Sequence, residues 1–135
     1  MSYKNTFIKV APDCPVTKAV VPESKREKKP IHQIHYEMLS NNPYKYTHEA
    51  LIFEADVQHK GIAPENIEAH RKAFFQKKHP CLRASQLPKK YGWGIHYDAE
   101  GKIALYGMET EAYQKFSQSD LQILYAMRSS RKKPS

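Results

Sequence analysis

The sequence has few of the residues and patterns that mark specialised protein classes. Its 135 residues include two cysteines, five glycines and one tryptophan. No apolar run approaches the ~18 residues of a membrane-spanning helix, and the start, MSYKNTFIKV, lacks the apolar core of a signal peptide. A reducing cytosol would keep Cys14 and Cys81 as free thiols. We therefore expect a cytoplasmic protein that does not associate with membranes.

Sequence motifs of several enzyme classes are also missing. There is no GxSxG nucleophile elbow, no CxxC pair, no phosphate-binding GxxxxGK loop and no dinucleotide-binding GxGxxG loop. His32 and His35 are three residues apart, which would place both on one face of a helix. The pair nevertheless lacks the glutamate that makes the zinc motif HExxH specific. The sequence therefore predicts no metal and no cofactor.

Positive charge is in excess and is unevenly distributed along the chain. The net charge at pH 7 is +8, from 22 basic and 14 acidic residues. The excess lies in KREKK at 25–29, between Arg71 and Lys90, and in the final RSSRKKPS. Such a surface favours anionic partners. A surface of this charge can also simply keep a small protein soluble, and the sequence leaves both interpretations open.

Hydrophobic patterning predicts one α+β domain over residues 1–128, followed by a basic flexible tail at 129–135. NTFIKV at 5–10 is typical of a strand, and residues 93–106 predict a hairpin around the turn DAEG. Prolines at two helix starts, with following apolar stripes, predict helices from Pro30 and over 64–78. We expect a small, mainly antiparallel sheet with a β-hairpin in the C-terminal half, covered by three to four helices.

Three other segments are harder to assign. Residues 16–30 have two prolines and a charge run near their end and predict a surface loop. For HEALIFEADV we expect a helical turn at 48–51 and then a strand at 51–57, although alanine, leucine and glutamate favour helix. The segment LQILYAMR predicts a last helix, which Ser119 or Asp120 would cap.

The strongest functional pattern is LPKKYGWGIHY, where two lysines precede tyrosine and tryptophan. Lysines beside aromatic rings can bind a phosphate and stack on a planar base. Gly92 and Gly94 would weaken a strand interior, which indicates a bulge or a close backbone approach. Trp93 would serve equally well as a core residue. The predicted ligand-binding residues are Arg83, Lys89, Lys90, Tyr91, Trp93 and His96.

Three functions are consistent with these observations. The first is a binding module for an anionic ligand, such as a nucleotide, a phosphorylated metabolite or a nucleic acid. The second is a small enzyme in which His96 or His35 acts as the general base in a basic pocket. The third is a protein-interaction or homodimerising domain with an exposed aromatic patch. The oligomeric state is left open.

Three segments, NTFIKVAPDCP, CLRASQLPKKYGWGIHYDAEGKIALYGMETEAY and AMRSSRK, carry a family resemblance. Together they resemble a small bacterial family known only as domain of unknown function 6157. The resemblance runs from Asn5 to Lys132 and is strongest over 81–113. The chain departs from the family pattern at Gln86, where the family has proline, and at Lys90, where arginine is common. The resemblance implies no activity, cofactor or catalytic residue.

Overall fold

The computed structural model describes residues 3–25 and 27–128, so the predicted tail at 129–135 lies outside the described residues. Within this part of the chain, four strands form one sheet. They are β1 (Thr6–Lys9), β2 (Trp93–Tyr97), β3 (Ile103–Gly107) and β4 (Gln122–Tyr125). The α-helices are α1 (Ile31–Asn41), α2 (His48–Lys60), α3 (Ile67–Phe75), α4 (Gln86–Lys90) and α5 (Glu111–Ser117). Two short 3₁₀ turns, Pro64–Asn66 and Leu82–Ala84, precede α3 and α4.

The strand order in the sheet is β3-β2-β1-β4. β2 is antiparallel to both of its neighbours, whereas β4 runs parallel to β1. The predicted hairpin is confirmed: Gly101 turns the chain with a φ of +80°. The Asp98 carboxylate accepts the N–H groups of Glu100 and Lys102, each at 2.9 Å. The predicted α+β class and the mostly antiparallel sheet are therefore confirmed.

Both faces of the sheet are covered, which explains why β1 is buried on two sides. Ile8 of β1 pairs with Ile95 of β2, and both belong to the main hydrophobic core against α1 and α2. Phe7 faces the other side, where it stacks on Phe116 of α5 at a ring-centroid distance of 5.2 Å. None of the helices among the described residues combines the length and apolar character that a membrane span requires.

The predicted strand at 51–57 is wrong, because these residues belong to the helix α2. The Thr47 hydroxyl accepts the Ala50 N–H at the start of the helix, and Gly61 ends it with a φ of +64°. Leu51 is buried in the core with α1, whereas Phe53 contacts Phe74 of α3 at 5.5 Å. Apolar residues alternate at 51–57 because α2 is buried on two faces. The alternation does not reflect the two-residue period of a strand.

The predicted last helix at LQILYAMR is also wrong, because the segment contains the strand β4. β4 pairs with β1, and the Gln122 N–H also donates to the carbonyl of Asn5, just before β1, at 3.1 Å. The partner strand lies more than 100 residues away in the sequence, from Thr6 to Gln122. The segment therefore forms a strand at the edge of the sheet, although its local sequence favours a helix. That edge exists only in the folded chain.

Candidate functional site

Two of the six residues predicted to bind a ligand, Tyr91 and Trp93, pack against α1. The Tyr91 ring meets His32 edge-to-face with centroids 5.1 Å apart. The Trp93 indole lies 5.2 Å from the ring of Tyr36. Both side chains are half-buried. They therefore join the start of β2 to α1.

The KKYGWG stretch contacts part of the 16–30 loop of the same chain. Val20 donates its N–H to the Tyr91 carbonyl at 2.8 Å, and its carbonyl accepts the indole N–H of Trp93 at 2.9 Å. Gly92 has a φ of +80°, and a Cβ there would lie 3.0 Å from the Lys18 carbonyl oxygen. The close backbone approach that the glycine indicated is confirmed, and the approaching chain is the 16–30 loop.

His96 lies on the opposite side of the sheet from Trp93, since residues three positions apart in a strand face opposite ways. Its ring stacks on Phe116 at 4.2 Å. Its Nδ1 lies 2.8 Å from the Tyr44 hydroxyl, which in turn lies 2.7 Å from the Tyr106 hydroxyl. Burial lowers the pKa of His96. At pH 7 the ring is therefore neutral and belongs to a hydrogen-bonded network beside α5.

The three basic residues of the predicted group lie on two consecutive elements, the second 3₁₀ turn and α4. Arg83 donates from Nε to the Tyr125 carbonyl at 2.7 Å, which joins the second 3₁₀ turn to the end of β4. Lys89 and Lys90 occupy the last turn of α4. None of the six residues lines the two cavities described next. Ligand binding by this group stays a prediction.

Two adjoining cavities lie between α1, α2, the end of α3 and the segment 79–86. Their volumes are about 300 and 400 Å³, within the range of small-molecule sites. They share Ile52 and His79 as common walls. We call the pair the histidine cleft, because four of the seven histidines line it. These histidines are His32, His35, His48 and His79.

His35 is the central polar group of the first, 300 Å³ cavity. Its side chain is 8% exposed, and neither ring nitrogen has a hydrogen-bond partner within the described part of the chain. Burial lowers the pKa of His35 to about 4, and repulsion by His48 and His32 adds to the shift. A buried polar group without a partner costs about 1–3 kcal/mol. The neutral ring thus has an unused donor and an unused acceptor within the cavity wall.

The rest of the first cavity is mostly apolar. Its largest apolar lining residues are Ile31, Ile52, Phe74 and Leu82. His79 stacks on Phe74 at 3.8 Å and lies 2.6 Å, through Nε2, from the Phe74 carbonyl. A carbonyl oxygen only accepts, so this nitrogen carries the proton. No lysine or arginine is among the residues that line this cavity, so it suits an uncharged group.

The second, 400 Å³ cavity lies at the first turn of α2. His48 and Glu49, the first two residues of that helix, line it together with Lys77 and Lys78. Backbone N–H groups at a helix start have no partners within the helix, and the helix dipole makes this end positive. Neither lysine forms an ion pair among residues 3–25 and 27–128. The cavity therefore combines three sources of positive potential with one carboxylate.

His48 adds a buried polar group to the second cavity. The residue is 2% exposed, and its Nδ1 has no hydrogen-bond partner in the described ranges. Burial is the main cause that lowers the pKa of His48. The neutral imidazole carries one N–H donor and one acceptor nitrogen. Each of the two cavities thus contains a buried histidine with unused hydrogen-bonding capacity.

Sequence reasoning missed most of this cleft. It named His35 as a candidate general base, but it attached no role to His48, His79, Lys77 or Lys78. The abundance of histidine and the basic region between Arg71 and Lys90 were the available signals, because these residues come from three separate segments of the chain. In the described ranges, no three histidine, cysteine, aspartate or glutamate side chains are arranged to hold a metal ion.

Comparison with known proteins identifies one match. A family model described as "Family of unknown function (DUF6157)" matches residues 1–132 of the chain. No curated protein and no solved structure is detectably similar to it.

Proposed function

Since the chain belongs to the DUF6157 family of unknown function, we propose a function from its own geometry: it is a binding module for a small anionic ligand. The anionic group binds in the second cavity of the histidine cleft. The observation that carries this proposal is His48, a buried ring with an unpartnered nitrogen in a cavity of positive potential.

The charges around the second cavity favour an anion. The start of α2 contributes the positive end of a 13-residue helix, and such helix ends bind phosphate and carboxylate groups. Lys77 and Lys78 add two positive charges, against one negative charge from Glu49. The two lysines are exposed, so they remain hydrated until a ligand binds. His48 supports the anion with a hydrogen bond from its ring.

The shape of the cleft favours a small ligand over a nucleic acid. A nucleic acid binds along an extended row of basic side chains, each of which neutralises one phosphate. In the cleft, the two lysines stand at one concave end, and the adjoining cavity has no basic residue besides its histidines. Among the anionic ligands that the sequence suggests, a nucleotide or another phosphorylated metabolite therefore fits the cleft best.

Titration with inorganic phosphate tests the anion site directly. We expect saturable chemical-shift changes at the backbone amides of His48 and Glu49, because their N–H groups lie at the helix start. The variant Lys77→Gln/Lys78→Gln should weaken phosphate binding at least about tenfold, since hydrogen bonds to charged groups contribute ~1.5–3 kcal/mol each. Dissociation constants from the amide shifts provide the measurement.

The control variant is Lys25→Gln/Lys72→Gln, which removes the same charge at two exposed lysines outside the cleft. It should bind phosphate as tightly as the unmodified protein does. Equal affinities of all three proteins, or shift changes confined to residues far from the start of α2, would contradict the proposal.

A further inference from the structure

We infer that the ligand of the histidine cleft is amphipathic, with its anionic group in the second cavity and an uncharged, largely apolar body in the first. The inference rests on the proposed anion site and adds the chemical class of the molecule that occupies it. Phosphate or carboxylate monoesters and acids with an alkyl or aromatic body belong to this class.

The two cavities adjoin at Ile52 and His79, which line both of them. Ile52 is one helical turn beyond His48 on α2, so the same helix face passes from the anion site to the apolar cavity. A ligand held at the start of α2 can therefore extend directly past Ile52 toward α1.

The charges of the two cavities set the orientation of such a ligand. Asp56 lines the first cavity, where its carboxylate contacts His70 at 2.6 Å. Lys77 and Lys78 line only the second cavity. Asp56 is also paired with Lys60 at 3.4 Å, so the described lining of the first cavity offers no unpaired charge. An anionic group is attracted by the two lysines of the second cavity, so the body of the ligand occupies the first cavity.

The residues that line the first cavity indicate the chemistry of the ligand's body. Ile31, Phe74 and Leu82 contribute apolar surface, and burial of apolar groups against such surface strengthens binding. His35 supplies a free donor and a free acceptor within the same wall. The body is therefore apolar over most of its surface.

A series of alkyl phosphates tests the inference. Each methylene that enters an apolar cavity should strengthen binding about fourfold, so hexyl phosphate, with five more methylenes, should bind the protein on the order of a thousandfold more tightly than methyl phosphate. The phosphate-free analogue 1-hexanol should bind more weakly than hexyl phosphate. Isothermal titration gives the three dissociation constants.

The variant Ala84→Phe fills the first cavity, which Ala84 lines. It should remove the advantage of hexyl phosphate and leave methyl phosphate binding unchanged. The matched control is Ala69→Phe, at an exposed alanine of α3 outside both cavities. This control should retain the full advantage of the hexyl chain.

A second readout needs no variant, because the free thiol of Cys81 lines the first cavity whereas that of Cys14 does not. Hexyl phosphate should slow alkylation of Cys81 and leave Cys14 unaffected, and methyl phosphate should protect neither thiol. If methyl phosphate binds but chain length changes neither affinity nor Cys81 protection, the inference is overturned and the anion site stands. If no phosphate binds near His48, the proposed function itself fails.

Discussion

His35 shows how burial controls a single side chain. The ring lies in the wall of the first cavity, and burial with repulsion by His48 and His32 lowers the pKa of His35 to about 4. Protonation near neutral pH would place a charge among apolar groups without a partner, which is costly. The ring therefore stays neutral in the folded protein over the pH range in which an exposed histidine becomes charged.

This difference predicts that acid destabilises the protein through His35. An unfolded histidine binds a proton near pH 6.5, whereas the pKa of folded His35 is about 4. Between these values the unfolded state binds more protons, so the free energy of unfolding decreases as pH falls, by up to about 3 kcal/mol. Above about pH 7.5 both states are neutral and the stability is fully retained.

Urea unfolding at pH 7.5 and pH 4.5 measures this effect. The unmodified protein should lose more stability between the two pH values than His35→Gln does, since glutamine does not titrate. The variant His59→Gln, at a histidine outside the cleft, should behave like the unmodified protein. An identical pH dependence in the His35→Gln variant would show that the ring is not held neutral by the fold.

Gly94 is a residue whose role follows from what surrounds it. A Cβ at this position would lie 2.7 Å from both Phe7 Cζ and Tyr113 Cε2. Those two rings meet edge-to-face at 5.2 Å and pack directly on the β2 backbone. The sequence predicted a close approach here, but it could not identify the rings, because they come from β1 and α5.

At the scale of elements, α2 and β4 are the two segments whose type neighbouring residues predicted wrongly. Thr47 caps the start of α2 and Gly61 ends the helix, but burial on two faces produced an apolar alternation like that of a strand. β4 contains isoleucine and tyrosine, which favour strands, beside leucine, which favours helices, and the residues that follow it, Ala126 and Met127, also favour helices. Pairing with β1, which is more than 100 residues away in the sequence, decided the conformation of this segment.

The loop at 16–22 is an element that depends on a few anchoring hydrogen bonds. Val20 bonds to the Tyr91 backbone and to the Trp93 indole, and the Ala19 N–H donates to Glu109 at 2.9 Å. Trp93→Phe keeps an aromatic ring at the contact with α1 but removes the indole N–H. We expect this loss to loosen the loop without disturbing the sheet.

Hydrogen exchange tests this prediction at single amides. The loss of one hydrogen bond, worth about 1 kcal/mol, should speed exchange of the Val20 amide roughly fivefold in Trp93→Phe. The amide of Ile95, within the sheet, serves as the internal reference and should exchange at an unchanged rate. Equal acceleration at both amides would mean that the substitution weakens the whole protein and not the loop.

On the scale of the whole molecule, one hydrophobic core connects most of the elements. It includes Ile8 of β1, Leu39 of α1, Leu51 of α2 and Ile95 of β2. Because the same core supports the sheet and the two longest helices, we propose that residues 1–128 unfold as one cooperative domain.

Two probes can check this cooperativity in the same urea titration. Trp93 is the single tryptophan, so its fluorescence reports the contact between α1 and β2, whereas far-ultraviolet circular dichroism reports all helices. We expect coincident transitions, both in the full chain and in a version that ends at Arg128. Two separate midpoints would show that the helices and the sheet unfold independently.

The sequence by itself determined the features that neighbouring residues encode: the hairpin with its turn at 98–101, the helix start at Pro30, and the helical turn that begins at Pro64. Each of these depends on backbone preferences and hydrogen bonds over a few residues. Only the tertiary structure decided that β4 completes the sheet and that His35, His48, His79 and the two lysines line one cleft. Such groupings join segments that are 13 residues apart, as His35 and His48 are, or more than 100 residues apart, as β1 and β4 are. Local periodicity carries no information about which separate segments will meet.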